Sequence, residues 1–133
     1  MSLWYEKYRM PPGSTRRYQY SIFDEVQTSR VSTSLEEAAI LSRAMPRLDL
    51  LVIAPDAVHV VELKPLAALK DVGQVLQYAK YLQRDIFLRD HLTRPIRLVL
   101  CSVTENASVR AACQADGIEY IVIPRDELPP LPE

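Results

Sequence analysis

Glycine is scarce in this chain, with only Gly13, Gly73 and Gly117 among 133 residues. None lies in a phosphate-cradling loop or a dinucleotide-binding turn, motifs that need glycine where backbone closely approaches a ligand. Nucleotide-driven motors and redox enzymes are therefore poor fits, and no nucleotide cofactor is expected. Cysteine is limited to Cys101 and Cys113, with no Cys-x-x-Cys and only His59 and His91 to join them. Neither zinc nor iron–sulfur binding is indicated, and both thiols are expected to be buried and reduced. With no Ser or Cys near His59, a hydrolase triad has little support. No apolar run approaches the roughly 20 residues that span a bilayer. The polar, aromatic N-terminus has no signal-peptide core, so a cytoplasmic or otherwise intracellular protein without membrane contact is expected. Excess positive charge is missing too: the net charge is −1 and the pI about 6.1, which does not advertise a nucleic-acid binder.

A chain of this length that is 48% hydrophobic and 25% charged can build one compact core. One domain over 1–133 is expected, with an aromatic and basic N-terminal arm over about 1–20 and a proline-rich tail over about 127–133. Two apolar runs, Leu48 to Ala54 and Val58 to Leu63, flank Pro55-Asp56, a turn signal between strand signals. They predict a β-hairpin. If Ala54 faces Ala57 and Ile53 faces Val58, Asp49 falls opposite Glu62, and directly opposed Cβ atoms lie roughly 4.5–5.5 Å apart on one sheet face. Lys64 emerges on the face of Glu62, while Leu63 points away into packing.

Two carboxylates this close repel, and burial among Val, Leu and Ile favours their protonation unless a cation is present. Carboxylate oxygens, a backbone carbonyl and waters suit a hard ion such as Mg²⁺, or Mn²⁺, that completes its shell with phosphate oxygens. An amine such as Lys64 beside that ion can orient or deprotonate a water, or stabilise charge on a phosphate. The competing reading is an ordinary ion pair on a sheet edge, since Glu-x-Lys triplets are common. Burial favours the functional reading, because charges are seldom buried without a partner or a task.

After the hairpin, Val72, Val75, Leu76, Ala79, Leu82 and Ile86 recur at helical spacing behind Asp71, which can cap or begin the helix. Gln74 and Tyr78 sit four apart on a flank of that stripe, where an amide and a phenol can serve the sheet site together. Arg97 to Val103 reads as a strand, Glu105 to Asp116 as a helix closed by Gly117, and Ile118 to Ile123 as a strand. Ser34 to Ala44 reads as an earlier helix, capped by Ser34 with Glu37 at the capping-box position. The resulting fold class is α/β: a mixed central sheet flanked by helices on both faces, in the order α-β-β-α-β-α-β, with a possible extra N-terminal strand among Tyr18 to Phe23.

Together, Arg47-Leu48-Asp49, Glu62-Leu63-Lys64 and Gly73-Gln74-Val75-Leu76-Gln77-Tyr78 resemble the PD-(D/E)XK nuclease superfamily, within it the branch with a Gln-x-x-x-Tyr motif, as in RecB-type nuclease domains. The resemblance covers Arg47 to Leu82. It implies a restriction-endonuclease-like fold, with Asp49, Glu62 and the Leu63 carbonyl as metal ligands and Lys64 as the catalytic lysine. Gln74 and Tyr78 match residues that line the nucleic-acid side of such sites. A further glutamate from the preceding helix is also implied, and Glu36 and Glu37 are both candidates.

In the N-terminal arm, Lys7, Arg9, Arg16 and Arg17 stand against Glu6 alone, among Trp4, Tyr5, Tyr8, Tyr18 and Tyr20. Such a mixture can neutralise phosphates and stack on bases, with Arg16, Arg17 and Tyr78 as candidate nucleic-acid contacts, or it can pack its aromatics on its own core or on a twin subunit. The leading expectation is a Mg²⁺-dependent nuclease acting on DNA. The alternatives are a non-catalytic nucleic-acid or protein-binding module that retains the fold, and a structural subunit whose hairpin charges are simple ion pairs. Because so small a domain offers little surface around a cleft, a homodimer is expected.

Overall fold

The structure, a computed structural model, describes residues 1–22, 47–83, 85, 88 and 93–129. The expected helix over 34–44, with Glu36 and Glu37, lies outside the described residues, as do Phe23, Ile86, His91 and the chain beyond 129. Five strands form one mixed sheet in sequence order: β1 (Thr15–Ser21), β2 (Arg47–Ile53), β3 (Val58–Leu63), β4 (Ile96–Ser102) and β5 (Ile118–Val122). The pairs β1/β2 and β2/β3 are antiparallel, whereas β3/β4 and β4/β5 are parallel. Among the described residues three helices accompany them: α1 (Ser2–Tyr8), α2 (Leu69–Leu82) and α3 (Ala107–Ala115).

The hairpin turns where the sequence places it. The Ala54 N–H donates to the Ala57 carbonyl at 2.9 Å, and Ile53 pairs with Val58 and Leu50 with Val61. Continuing that register one step sets Asp49 opposite Glu62. The first strand runs over Thr15–Ser21, starting earlier than the expected stretch. Its first five residues are exposed, as befits an edge strand, so they carry no burial alternation to reveal it.

Side-chain alternation divides the core in two. On one face Leu50, Val52, Val61, Val99, Cys101 and Ile121 pack against Trp4 and Tyr5 of α1. A seven-residue helix is too short to persist on its own, so α1 depends on burying those two aromatics. The Trp4 indole N–H also donates to Glu127 at 2.7 Å, tying α1 to a 3₁₀ turn at Arg125–Glu127.

On the opposite face α2 lies over β3 and β4, while α3 lies over β5 and against α2. Asp71 reaches back from the first turn of α2 to accept the Ala68 N–H at 2.8 Å. Asn106 caps α3 by accepting from Ser108 and Val109, and Gly117, at φ 70°, ends it in the left-handed region that glycine tolerates. Cys101 and Cys113 are buried and unpaired. Among the described residues no helix is long and apolar enough to cross a membrane.

Candidate functional site

Leu51 and Ile53 of β2 pack with Val58 and Val60 of β3 in one cluster beneath α2, Glu62 is next on that face of β3, and Asp49 is its hydrogen-bonding neighbour. The two acids therefore meet across the antiparallel β2/β3 pair, at the C-terminal end of β3, whose other neighbour β4 runs parallel to it. In α/β sheets ligands gather at such strand ends. Glu62 is 2% exposed, and its Oε2 is buried with no hydrogen-bond partner. Its carboxyl is pushed up to about 8. Burial is the main cause, Asp49 adds to it as a hydrogen-bonding and charged neighbour, and Lys64 opposes it. Between pH 4.5 and 8 a metal-free Glu62 thus stays largely protonated.

The Lys64 Nζ stands 3.6 Å from Glu62 Oε1 and keeps about a third of its side chain in solvent. Its position is fixed from behind. The Lys64 N–H donates to the Cys101 carbonyl at 2.9 Å, extending the β3/β4 pairing one residue beyond the strand. The next residues are held by buried Ser102, whose hydroxyl donates to the Pro65 carbonyl at 3.0 Å and accepts the Ala67 N–H at 3.4 Å. Ser102 thereby also sets where α2 begins.

Asp49 is gripped at both oxygens. The Leu63 N–H donates to Oδ2 at 2.9 Å and the Gln19 side-chain amide to Oδ1 at 3.2 Å. Leu63 is half-buried, its side chain against the α1-face core. Gln19 was not foreseen in the sequence, because its partner lies 30 positions away and glutamine on a polar edge strand carries no distinguishing signal.

The expected flank position of Tyr78 needs correction. Together with Val72, Val75 and Leu82 it forms the buried stripe of α2, at 5% exposure, whereas Leu76 is only half-buried. The steps from 75 to 78 to 82 fit the helical period as well as the aliphatic set does, and the tyrosine body supplies the apolar surface. Its hydroxyl is nevertheless tuned by the site. Burial, the Glu62 and Asp49 charges and Asp71 push the phenol up to about 12, and a hydrogen bond with Gln74 pulls the other way. Asp49, Glu62, Lys64, Gln74 and Tyr78 are thus one neighbourhood.

The N-terminal arm is largely committed elsewhere. Trp4 and Tyr5 are in the core, and Arg16 joins Glu6 in an ion pair that Tyr18 completes, donating to Glu6 and accepting from Arg16 Nε at 3.0 Å. The register separates the two arginines: Arg16 pairs with Val52 on the α1 face and Arg17 with Leu51 on the face of Asp49. Arg17 also stacks its guanidinium over Tyr20, 5.9 Å from the ring centroid. His59 is remote from the acids. It is buried on the α1 face, where its Nδ1 meets the Tyr5 hydroxyl at 2.9 Å.

A surface depression of about 450 Å³ lined by Gly73, Leu76, Gln77, Lys80 and Tyr81 runs along α2, and neither acid lines it. Among the described residues no group of three or more His, Cys, Asp or Glu is gathered for a metal. What fits a cation is the carboxylate pair, with its orphaned buried oxygen and the charge a cation would neutralise. Comparison with protein-family models, curated proteins and solved structures finds no match.

Proposed function

We propose that this protein is a Mg²⁺-dependent nuclease that hydrolyses DNA phosphodiester bonds, with Mn²⁺ able to replace Mg²⁺, on a restriction-endonuclease-like variant of the mixed sheet. The observation that carries this reading is buried Glu62: one oxygen lacks a partner, the carboxyl faces Asp49, and Lys64 is the cation beside it. An arrangement serving stability alone would not bury Glu62 against a second, half-buried acid, because burying an uncompensated charge costs several kcal/mol. Asp49 and Glu62, with the Leu63 carbonyl, would hold the ion. Bound there, it would supply Lewis-acid polarisation of phosphate oxygen and a lowered pKa for water.

The remaining chemistry belongs to the chain. Lys64, partly open to solvent, orients the attacking water or meets the charge developing on phosphate. Gln74 offers an amide to the same region and steadies the Tyr78 hydroxyl. Arg17, paired with Leu51 next to the site, would meet phosphate. Arg16 lends charge only if its pairing with Glu6 opens. A homodimer, offering two such sites to a duplex, is part of the proposal.

A second reading, a module that binds nucleic acid or protein without cutting it, draws on two observations: only two acids gather among the described residues, and the arm's aromatics and Arg16 are already engaged. End-labelled DNA substrates (single strand, duplex end, flap and branched junction) incubated with Mg²⁺ or Mn²⁺ separate the two. Metal-dependent cleavage of any of them supports the nuclease. Salt-dependent binding with no cleavage under either metal favours the module.

A further inference from the structure

Gln19 has the only positive φ, 49°, of any non-glycine among the described residues. It lies in the middle of β1, where extended backbone is the rule. Residues with a Cβ seldom occupy the left-handed region, and those that do are mostly Asn or Asp. The β1/β2 ladder pairs Tyr18 with Leu50 and Tyr20 with Leu48, so Gln19 stands across from Asp49. Its side chain is exposed and contributes no packing to the core. Its amide donates to Asp49 Oδ1, while the Leu63 N–H holds Oδ2. Outlying backbone geometry at a candidate site, coupled to a specific side-chain contact, points to a role for that contact.

We infer that Gln19 is a positioning residue for the cation site: its strained backbone presents the amide that, with the Leu63 N–H, locks the Asp49 carboxylate in the plane from which it serves a divalent ion. The inference rests on the metal-site reading above. A carboxylate offers about four lone-pair positions, so one donor on each oxygen fixes its rotation and still leaves acceptor capacity for an ion. Held this way, Asp49 need not be ordered when the ion arrives, and preorganisation of this kind raises affinity by reducing the ordering cost of binding.

A structural explanation competes. Tyr20 donates to Asp85 at 2.9 Å and packs in the cluster beneath α2, and the turn at Gln19 could exist to aim Tyr20. Glycine at position 19 distinguishes the two, because it keeps the left-handed backbone, and with it the Tyr20 contact, while removing only the amide. Alanine removes the amide and keeps the strain.

The experiment is a Mn²⁺ titration followed by electron paramagnetic resonance on the whole chain, wild type against Gln19→Gly and Gln19→Ala, with thermal melts of each metal-free protein. Both variants should bind Mn²⁺ about tenfold more weakly, the effect of one hydrogen bond to a charged acceptor. Gln19→Gly should also melt above wild type, because it relieves strain, and Gln19→Ala should not. Weaker binding in a more stable protein is a combination a purely structural role does not produce. Wild-type affinity in either variant, or a lower melting temperature for Gln19→Gly, overturns the assignment of Gln19 alone. No Mn²⁺ binding by the wild type overturns it together with the metal site.

Discussion

Glu62 and His59 are three residues apart on β3, on opposite faces, and each is at most 2% exposed. Each leaves one polar atom buried without a partner, Oε2 of Glu62 and Nε2 of His59. Burial is the main cause of both shifts and favours the neutral form in each case, raising the Glu62 carboxyl and lowering the His59 imidazole. The difference is in the neighbours. His59 meets the Tyr5 phenol at Nδ1, a neutral partner for one nitrogen of a neutral ring, and this contact ties α1 to the sheet. Glu62 meets Asp49, a second acid that adds to the upward shift while Lys64 opposes it. One strand therefore holds two buried ionisable groups, one beside a neutral phenol and the other beside a second acid.

The largest effect that tests this contrast lies on the acid side. Asp49→Ala or Glu62→Ala should abolish Mg²⁺-dependent DNA cleavage, a loss of roughly 10³-fold or more, because an anionic anchor for the ion is gone. Gel assays with either variant check this, and a wild-type rate would remove that residue from the site. Lys64→Ala should lower turnover by roughly 10²–10⁴-fold while Mn²⁺ affinity stays near wild type, since an amine on water or phosphate is not a metal ligand. Lys64→Arg should rescue little, because guanidinium resists deprotonation and has a different shape. Equal losses of turnover and affinity would instead give Lys64 a structural role.

Stability effects come next, with opposite signs on the two faces. The folded-state pKa of Glu62 is raised, so its protonated form stabilises the fold below about pH 4.5, and that stabilisation is lost as pH rises toward 8. Glu62→Gln remains neutral throughout. Metal-free, it should gain on wild type by about 3 kcal/mol at pH 7, at roughly 1.4 kcal/mol per pH unit, and by nearly nothing at pH 4.5. Urea unfolding across that range is the measurement, and a pH-independent difference would contradict the assignment. His59 has a lowered folded-state pKa, so its contribution is present above pH 6.5 and lost as pH falls. In the Glu62→Gln background, the drop in stability on acidification below pH 6.5 should therefore be exposed.

The smallest expected effect is that of Tyr5→Phe. Deleting the phenol oxygen leaves His59 Nδ1 buried and unpartnered, for a loss of about 1–3 kcal/mol in urea unfolding with Mn²⁺ affinity unchanged. A change in affinity would join the two faces, which the structure keeps apart.

The same contrast explains what the sequence revealed. The hairpin and its register were legible because Pro55-Asp56 marks the turn and pairing outward from it brings Asp49 opposite Glu62, although the period of two fails at Leu48, which packs with Leu51 and Ile53. Tyr78 was misplaced because an amphipathic ring can complete a buried stripe that an aliphatic count assigns to its neighbours. The Tyr5–His59 and Gln19–Asp49 contacts span 54 and 30 positions, and no local periodicity reports contacts of that range. The left-handed turn at Gln19 was hidden for another reason: neither glycine nor asparagine stands there to announce it.

If Glu62 is held neutral in the metal-free protein and a divalent ion binds there, its proton is displaced into solvent. Isothermal titration of Mn²⁺ into the wild type at pH 7, in two buffers of different ionisation enthalpy, counts that proton directly. The account predicts release of about one proton per ion bound at pH 7, falling toward zero above pH 9 and absent in Glu62→Gln. Binding without proton release at pH 7, or no binding at all, would contradict it.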